Sequence, residues 1–217
     1  YLAANKTFAQ KHKLNLTIGA QYEFKDHTYF GVKAKDIQTG LEIVHGSGDI
    51  TLSGDEKRYQ TAVLSYFGRF NYDYDGRYLL ELNGRYDGSS KFRPVNRWAA
   101  FYGASAGWRL KQEAFLRDVN WLSDLKLRAS YAEVGNQSGI NDYDGIQFYN
   151  LISAGDDGAY IGSDKISYIK TDGSLASTNR KWERIKNYNV AIDFGFLNGS
   201  LTGTVGAFLK KNDNMLV

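Results

Sequence analysis

The alternation of apolar and polar residues in RYLLELNGRYD, residues 77–87, restricts the fold more than any other feature of the sequence. One face carries Tyr78, Leu80, Leu82, Gly84 and Tyr86, and the other carries Leu79, Glu81, Asn83, Arg85 and Asp87. Successive side chains of a β-strand point to opposite sides. This period of two therefore predicts a strand with one apolar and one polar face.

The same period recurs along the chain and predicts about eight strands, hence an all-β chain. They cover roughly residues 1–9, 13–26, 59–74, 77–89, 97–110, 124–135, 183–197 and 200–211. Val63, Phe67 and Phe208 break the pattern because they fall on the polar face. The best helical candidate is the short segment from Gln112 to Leu122.

Composition agrees with this class and excludes several functions. The 217 residues include no cysteine, one proline, 23 glycines and 15% aromatic residues, which is typical of a turn-rich β protein. The lack of cysteine excludes a disulfide framework and a thiolate metal site. The net charge of +3 is small and its basic residues are spread along the chain, so no nucleic-acid surface is indicated.

Three of the four predicted connections at one end of the sheet are tight, and two of the three at the other end are very long. Taken in antiparallel order, they are residues 10–13, 75–76, 111–123 and 198–199 at one end, and 27–58, 88–96 and 136–182 at the other. Outer-membrane barrels have short periplasmic turns and long extracellular loops, whereas compact sandwiches have short loops throughout. The asymmetry favours a transmembrane antiparallel barrel, whose apolar face would meet lipid.

Aromatic residues on the apolar face recur at two levels. Tyr78 and Tyr86 are expected about 20 Å apart along the barrel axis, and Trp98 and Trp108 about 25 Å apart. Rings at two levels with small and aliphatic residues between them match the aromatic girdles of a lipid-facing band. A soluble all-β domain that buries the same face is the alternative at this point.

Four segments resemble consecutive barrel segments of the SusC/RagA family of TonB-linked (TonB-dependent) outer-membrane transporters. They are YFGRFNYDYDGRYLLELNGRYDGSSKF, NRWAAFYGASAGWRL, DLKLRASYAEVGNQ and KWERIKNYNVAIDFGFLNGSLTGTVGAFLKKNDNMLV. The similarity is weaker around KHKLNLTIGAQYEF. The sequence departs from the family at Ala132 and Glu133, where a glycine and a small residue are usual, and AAFYGASAGW lacks the usual proline.

The resemblance implies that residues 1–217 are a single partial β-barrel domain, an interior piece of a barrel of about 22 strands. The plug domain and the remaining strands would lie outside it. The whole protein would sit in a Gram-negative, Bacteroidetes-like outer membrane. It would import a glycan, an oligosaccharide or a peptide, using the TonB complex and a SusD-like lipoprotein lid.

Two other functions stay open. One is a self-contained eight-stranded outer-membrane barrel with a structural or adhesive role, and the other is a secreted all-β carbohydrate-binding domain. YLAANKTFAQKHK at the start has no signal-peptide core, so Tyr1 is expected to be a mature start or a point inside a longer protein. No nucleophile-elbow, phosphate-loop or zinc-protease motif occurs, and neither enzyme activity nor a cofactor is expected.

Five side chains are candidates for contact with the substrate. Arg85 and Asp87 lie near the outer end of a predicted lumen-facing strand side. Lys91, Arg93 and Arg97 form a basic group at the rim, which could attract an anionic ligand or lipopolysaccharide phosphates, with a solvated loop as the equal alternative.

No metal site is expected. NYDYDG, residues 71–76, lacks the bidentate glutamate of a calcium loop, so we predict a strand end followed by a two-residue turn at Asp75 and Gly76. NDYDG (141–145) and GDDG (155–158) lack that glutamate too and are predicted to be solvated turns.

Overall fold

The computed structural model describes residues 1–33, 51–154, 159–161, 163–171, 177 and 179–215, and most of them lie in strands. The strands are β1 (Leu2–Phe8), β2 (His12–Lys33), β3 (Thr51–Tyr74), β4 (Tyr78–Ser89), β5 (Trp98–Arg109), β6 (Leu122–Asn136), β7 (Tyr149–Ile152), β8 (Ala159–Ile161), β9 (Asp164–Ile166), β10 (Tyr168–Thr171), β11 (Glu183–Phe196) and β12 (Leu201–Asp213).

Eight of the strands form one antiparallel sheet in the order β1-β2-β3-β4-β5-β6-β11-β12. All eight predicted strands are therefore present, and the all-β antiparallel fold is confirmed. Within the described residues β1 and β12 do not pair with each other, so this sheet is open, unlike a closed eight-stranded barrel. The remaining strands form two small ribbons between β6 and β11, in which β7 pairs with β10 and β8 pairs with β9.

Strands β2 and β3 both extend further than the alternation predicted. The connection predicted at residues 27–58 is reduced to residues 34–50, which lie outside the described part of the chain. A register shift between Tyr29 and Gly31 interrupts the β2–β3 pairing. A bulge of this kind breaks the period of two while backbone pairing continues beyond it, which hides the end of the strand from a pattern search.

The predicted helical segment is a single turn. The helix α1 spans Ala114–Arg117 and follows a 3₁₀ turn at Leu110–Gln112. Two further 3₁₀ turns lie at Pro94–Asn96 and Leu197–Gly199. No helix among the described residues is long and apolar enough to cross a membrane.

The turn predicted at Asp75 and Gly76 forms with one extra residue. Their φ angles are +56° and +62°, and the amide of Arg77 donates to the Tyr74 carbonyl over 2.9 Å. Tyr74 pairs with Tyr78, so the connection includes Arg77. We call the end of the sheet that carries this connection the turn end, and the opposite end the loop end.

The two faces of the sheet differ as the alternation predicted. On the apolar face Leu80, Leu82, Tyr86 and Tyr102 remain between 38% and 60% exposed. The polar face is instead covered at the loop end, where residues of the connections and of β5 form the small core. Its members are Phe92, Ala99, Phe101, Ile140 and Trp182.

Rings on the apolar face form two rows, one towards each end of the strands. The row at the turn end crosses β1 to β5, with ring centroids 4.6 to 6.2 Å apart; it runs through Phe8, His12, Tyr74, Tyr78 and Trp108. The row at the loop end contains Tyr66, Tyr86 and Trp98, with Tyr86 and Trp98 5.0 Å apart. Stacking at these distances adds to the cross-strand pairing.

The ladder between β5 and β6 is shorter than its neighbours. It runs from the Arg109–Lys126 pair to the Gly103–Ala132 pair, whereas β4 pairs with β5 as far as Trp98. Beyond Ala132 the ring of Phe101 lies against Gly135, where a Cβ atom would collide with it.

Phe67, one of the exceptions to the alternation, has a similar explanation. It pairs with Gly19, and a Cβ on that glycine would lie 2.6 Å from the tip of the Phe67 ring. The glycine opposite makes room for a large ring on the polar face.

Candidate functional site

A concave site lies on the polar face at the loop end, and we call it the loop-end pocket. It has a volume of about 720 Å³ and is lined by β2 to β6, by the connection between β4 and β5, by the connection after β6 and by the residue before β11. Its side chains with charge or hydrogen-bonding capacity are Glu23, Lys25, His27, Thr61, Asn83, Arg85, Asp87, Lys91, Glu133, Asn136, Gln137, Ser138, Asp142 and Trp182.

Arg85 and Asp87 form an ion pair inside this pocket. The Nε of Arg85 donates to Oδ1 of Asp87 over 2.6 Å, and its Nη2 donates to Oγ of Ser65 over 2.9 Å. Both acceptors are buried, and Ser65 pairs with Asp87 across β3 and β4. The Arg85 side chain is still 44% exposed. Asp87 and Ser65 therefore fix the guanidinium while leaving donors free to face a ligand.

Lys91 links the rim to the connection after β6. Its ammonium lies 3.0 Å from the Asp142 carboxylate and donates to the carbonyl of Ile140 over 3.1 Å. Asp142 belongs to the stretch NDYDG, predicted to be a solvated turn. Asp144 of the same stretch lies 2.9 Å from the guanidinium of Arg180. Both carboxylates thus have cationic neighbours and hold the connection over the pocket.

Arg93 and Arg97 lie outside the loop-end pocket. Arg93 donates from Nε to the Gly145 carbonyl over 3.2 Å. The carbonyl of Arg97 accepts from the indole nitrogen of Trp182 over 3.0 Å. The structure therefore brings Arg85, Asp87 and Lys91 together and leaves the two other candidates at the rim.

Several lining residues were not singled out from the sequence. Glu23, Lys25 and Asn83 occupy polar positions of the alternation near the loop end, so the same pattern that indicated Arg85 could have found them. Trp182 comes from a connection, where no period exists to place it.

The turn half of the polar face carries a second concavity, of about 480 Å³. Its surroundings are held by cross-strand ion pairs: Arg69 with Glu81 at 2.6 Å, and Arg128 with Asp193 at 3.1 Å. The hydroxyl of Thr204 also donates to Asp193 over 2.8 Å. This half of the face is therefore polar and internally paired.

No set of three or more histidine, aspartate or glutamate side chains in the described ranges is arranged to hold a metal ion. The stretch GDDG at residues 155–158 lies outside those ranges.

Comparison with known proteins adds the family context. The family model "TonB dependent receptor-like, beta-barrel" matches residues 1–217. The TonB-dependent receptor SusC of Bacteroides thetaiotaomicron is 39% identical over 158 residues, which are 72% of this chain and 15% of that protein. The TonB-dependent receptor P3 of Formosa agariphila is 29% identical over 220 residues, covering 100% of this chain and 21% of the relative.

Solved structures give the same result. The RagAB peptide importer in its open-open state superposes with a TM-score of 0.81 at 25% identity, over 99% of this chain and 23% of that one. In its closed-closed state the TM-score is 0.76 at 26% identity, over 98% of this chain and 23% of the other. The chain thus spans about a fifth of the length of these relatives.

Proposed function

The chain belongs to the TonB-dependent receptor-like β-barrel family, and from that premise we propose that it is part of the wall of an outer-membrane receptor that imports a bulky nutrient. The whole receptor would add further strands at the open edges, β1 and β12, together with a plug domain. The site of action would be the outer membrane of a Bacteroidetes-like bacterium.

The exposed apolar face of the sheet carries this proposal. Its aliphatic residues lie between two rows of aromatic rings, while the opposite face holds ion pairs and a pocket. A water-soluble domain would lose the hydrophobic free energy of that face, about 25 cal/mol for each Å² left in water. Contact with lipid removes this penalty, and the polar face then lines a hydrated lumen.

The loop-end pocket would bind the nutrient as it arrives from outside. Arg85 presents a guanidinium fixed by Asp87, and Lys25, Lys91, Asn83 and the neighbouring carboxylates offer further polar contacts. Mixed charges and amides suit the hydroxyls of a glycan or oligosaccharide as well as the backbone of a peptide, so all three stay in the proposal. Transport would use the TonB complex and a SusD-like lipoprotein partner, with no bond made or broken.

An uptake assay tests this proposal. The gene of the whole receptor is deleted, and uptake of fluorescent oligosaccharides and peptides is measured before and after the wild-type gene is restored. We expect one of the two ligand classes to lose uptake on deletion and to regain it on restoration, in a manner that needs TonB. If deletion of the gene leaves the uptake of every tested ligand unchanged, the proposal is contradicted.

A variant pair then tests the pocket. Arg85→Ala should lower uptake, because the guanidinium faces the pocket, whereas Lys170→Ala removes an exposed cation of strand β10 that lies outside it. Equal uptake by the two variants would remove Arg85 from the substrate path.

A further inference from the structure

A compact segment at the turn end is not explained by a role in the lumen. It comprises residues 110–121 between β5 and β6, and we call it the turn-end platform. Phe115 and Trp121 are 67% and 62% exposed, and Leu197 of the adjacent connection is 64% exposed. Large apolar side chains at this exposure indicate a surface that has a partner.

The start of the platform is fixed to the apolar face. The Glu113 carboxylate accepts hydrogen bonds from the Tyr78 hydroxyl over 2.7 Å and from the Trp108 indole over 2.9 Å. It also lies 3.3 Å from the guanidinium of Arg77. Tyr78 and Trp108 belong to the row of rings at the turn end. The first residues of the platform therefore lie beside the Tyr78 hydroxyl and the Trp108 indole nitrogen, the polar groups of that row.

The end of the platform joins the same face. The ring of Trp121 stacks on Phe196 at 5.7 Å, and Phe196 lies 5.3 Å from Phe194 of β11. The Leu197 amide donates to the Trp121 carbonyl over 3.1 Å. Trp121 and Leu197 thus extend the apolar face past the ends of the strands, and Phe115 is a further exposed ring of the same segment.

The platform is also held rigid from within. The ammonium of Lys111 donates to three carbonyls, those of Leu116, Arg117 and Val119, at 2.8 to 3.0 Å. One side chain therefore bridges three carbonyls at and just after the end of the short helix. A rigid segment presents its exposed rings without a large loss of conformational entropy on binding.

We propose that the turn-end platform inserts Phe115 and Trp121 into the interfacial layer of the phospholipid leaflet on the turn side, with Glu113 as the positioning residue. This inference rests on the proposed function, since it requires lipid along the apolar face. Aromatic side chains of membrane proteins are enriched in the interfacial layer, where the hydrocarbon meets the headgroups. The exposed Arg117 beside them suits its phosphates.

Spin-label depth measurements on the whole receptor in phospholipid vesicles test the platform. Single labels are placed at Phe115→Cys, at Asp118→Cys as an exposed polar control in the same segment, and at Leu82→Cys on the apolar face. A receptor without other reactive cysteines is used, and its folding is checked by heat-modifiable gel mobility. We expect oxygen to reach the Phe115 label severalfold better than a water-soluble nickel chelate does, with the reverse at Asp118.

The outcomes separate this inference from the function on which it rests. If the Phe115 label is as accessible to nickel as the Asp118 label, the platform faces water and the inference is overturned. If the Phe115 label is immobilised and closed to both reagents, a protein covers it and the inference is again overturned. If the Leu82 label is reached by nickel as well, the proposed membrane location also falls.

Discussion

At the scale of single residues, the ion pair between Arg85 and Asp87, in which only the carboxylate is buried, should matter more than a pair with both groups partly exposed. Replacement Asp87→Ala leaves the guanidinium with one partner, Ser65, and we expect a loss of about 1–3 kcal/mol in the free energy of unfolding. Arg69→Gln breaks the pair with Glu81 on the same face and should cost about 0–1 kcal/mol, because both groups remain partly exposed.

Urea unfolding of the folded receptor in detergent, followed by heat-modifiable mobility, measures both variants. Equal effects of Asp87→Ala and Arg69→Gln would show that burial of Asp87 does not strengthen its pair.

A second effect at this scale concerns Gly135. The substitution Gly135→Val would push the Phe101 ring from its place beside Trp182, at an overpacking cost of about 1–3 kcal/mol. Gly84→Ala is the matched control, because the nearest atom to its added Cβ would be Tyr102 at an ordinary 3.8 Å. The thermal midpoint of the mobility shift should fall for Gly135→Val alone. A similar fall for Gly84→Ala would mean that any added side chain weakens the wall.

At the scale of elements, Glu113 gives the platform a dependence on pH. Hydrogen bonds from Trp108 and Tyr78 hold the pKa of its carboxyl below the usual value of 4.5. A group whose pKa is lowered by folding stabilises the fold above its unfolded pKa, and this contribution disappears as the pH falls through the folded pKa. Wild type should therefore exceed Glu113→Gln in thermal midpoint at pH near 7, and the difference should shrink near pH 3.

Thermal midpoints at both pH values, taken on the same detergent-solubilised receptor, check this. A difference between wild type and Glu113→Gln that is the same at both pH values would argue against a role of the charge.

The elements also show what the sequence could predict. The alternation predicted every long strand because each of them has one exposed apolar face, such as the face of β4 that carries Leu80 and Leu82. It ended β2 at residue 26, whereas the pairing with β3 continues to Lys33 past a register shift between Tyr29 and Gly31. Within the pocket, Arg85 and Asp87 were predictable from their strand position. Trp182 was not, because it reaches the core through a connection whose path depends on contacts distant in sequence.

At the scale of the whole molecule, the two faces should respond oppositely to the same charge. Leu82→Arg places a cation in the middle of the apolar face, which in a bilayer should cost about 2–4 kcal/mol and reduce membrane assembly. Ser105→Arg introduces the same residue at a similar height on the polar face. Position 105 is the cross-strand partner of Glu81, so the new cation would lie beside a carboxylate. This variant should assemble nearly as well as wild type.

Folded receptor in the outer-membrane fraction, quantified by heat-modifiable mobility, gives the comparison. Equal loss for Leu82→Arg and Ser105→Arg would indicate that both faces are packed against protein.

The short ladder between β5 and β6 has a consequence for isotope exchange. In an antiparallel sheet, successive amides of a strand point alternately to its two neighbouring strands. Beyond Ala132, the β6 amides that point towards β5 therefore have no partner in the β5–β6 ladder. They should take up deuterium faster than the amides of β4, which pairs on both sides over most of its length. Residues 133–136 also line the loop-end pocket. Binding of a nutrient there should therefore slow deuterium uptake by the amides of this part of β6.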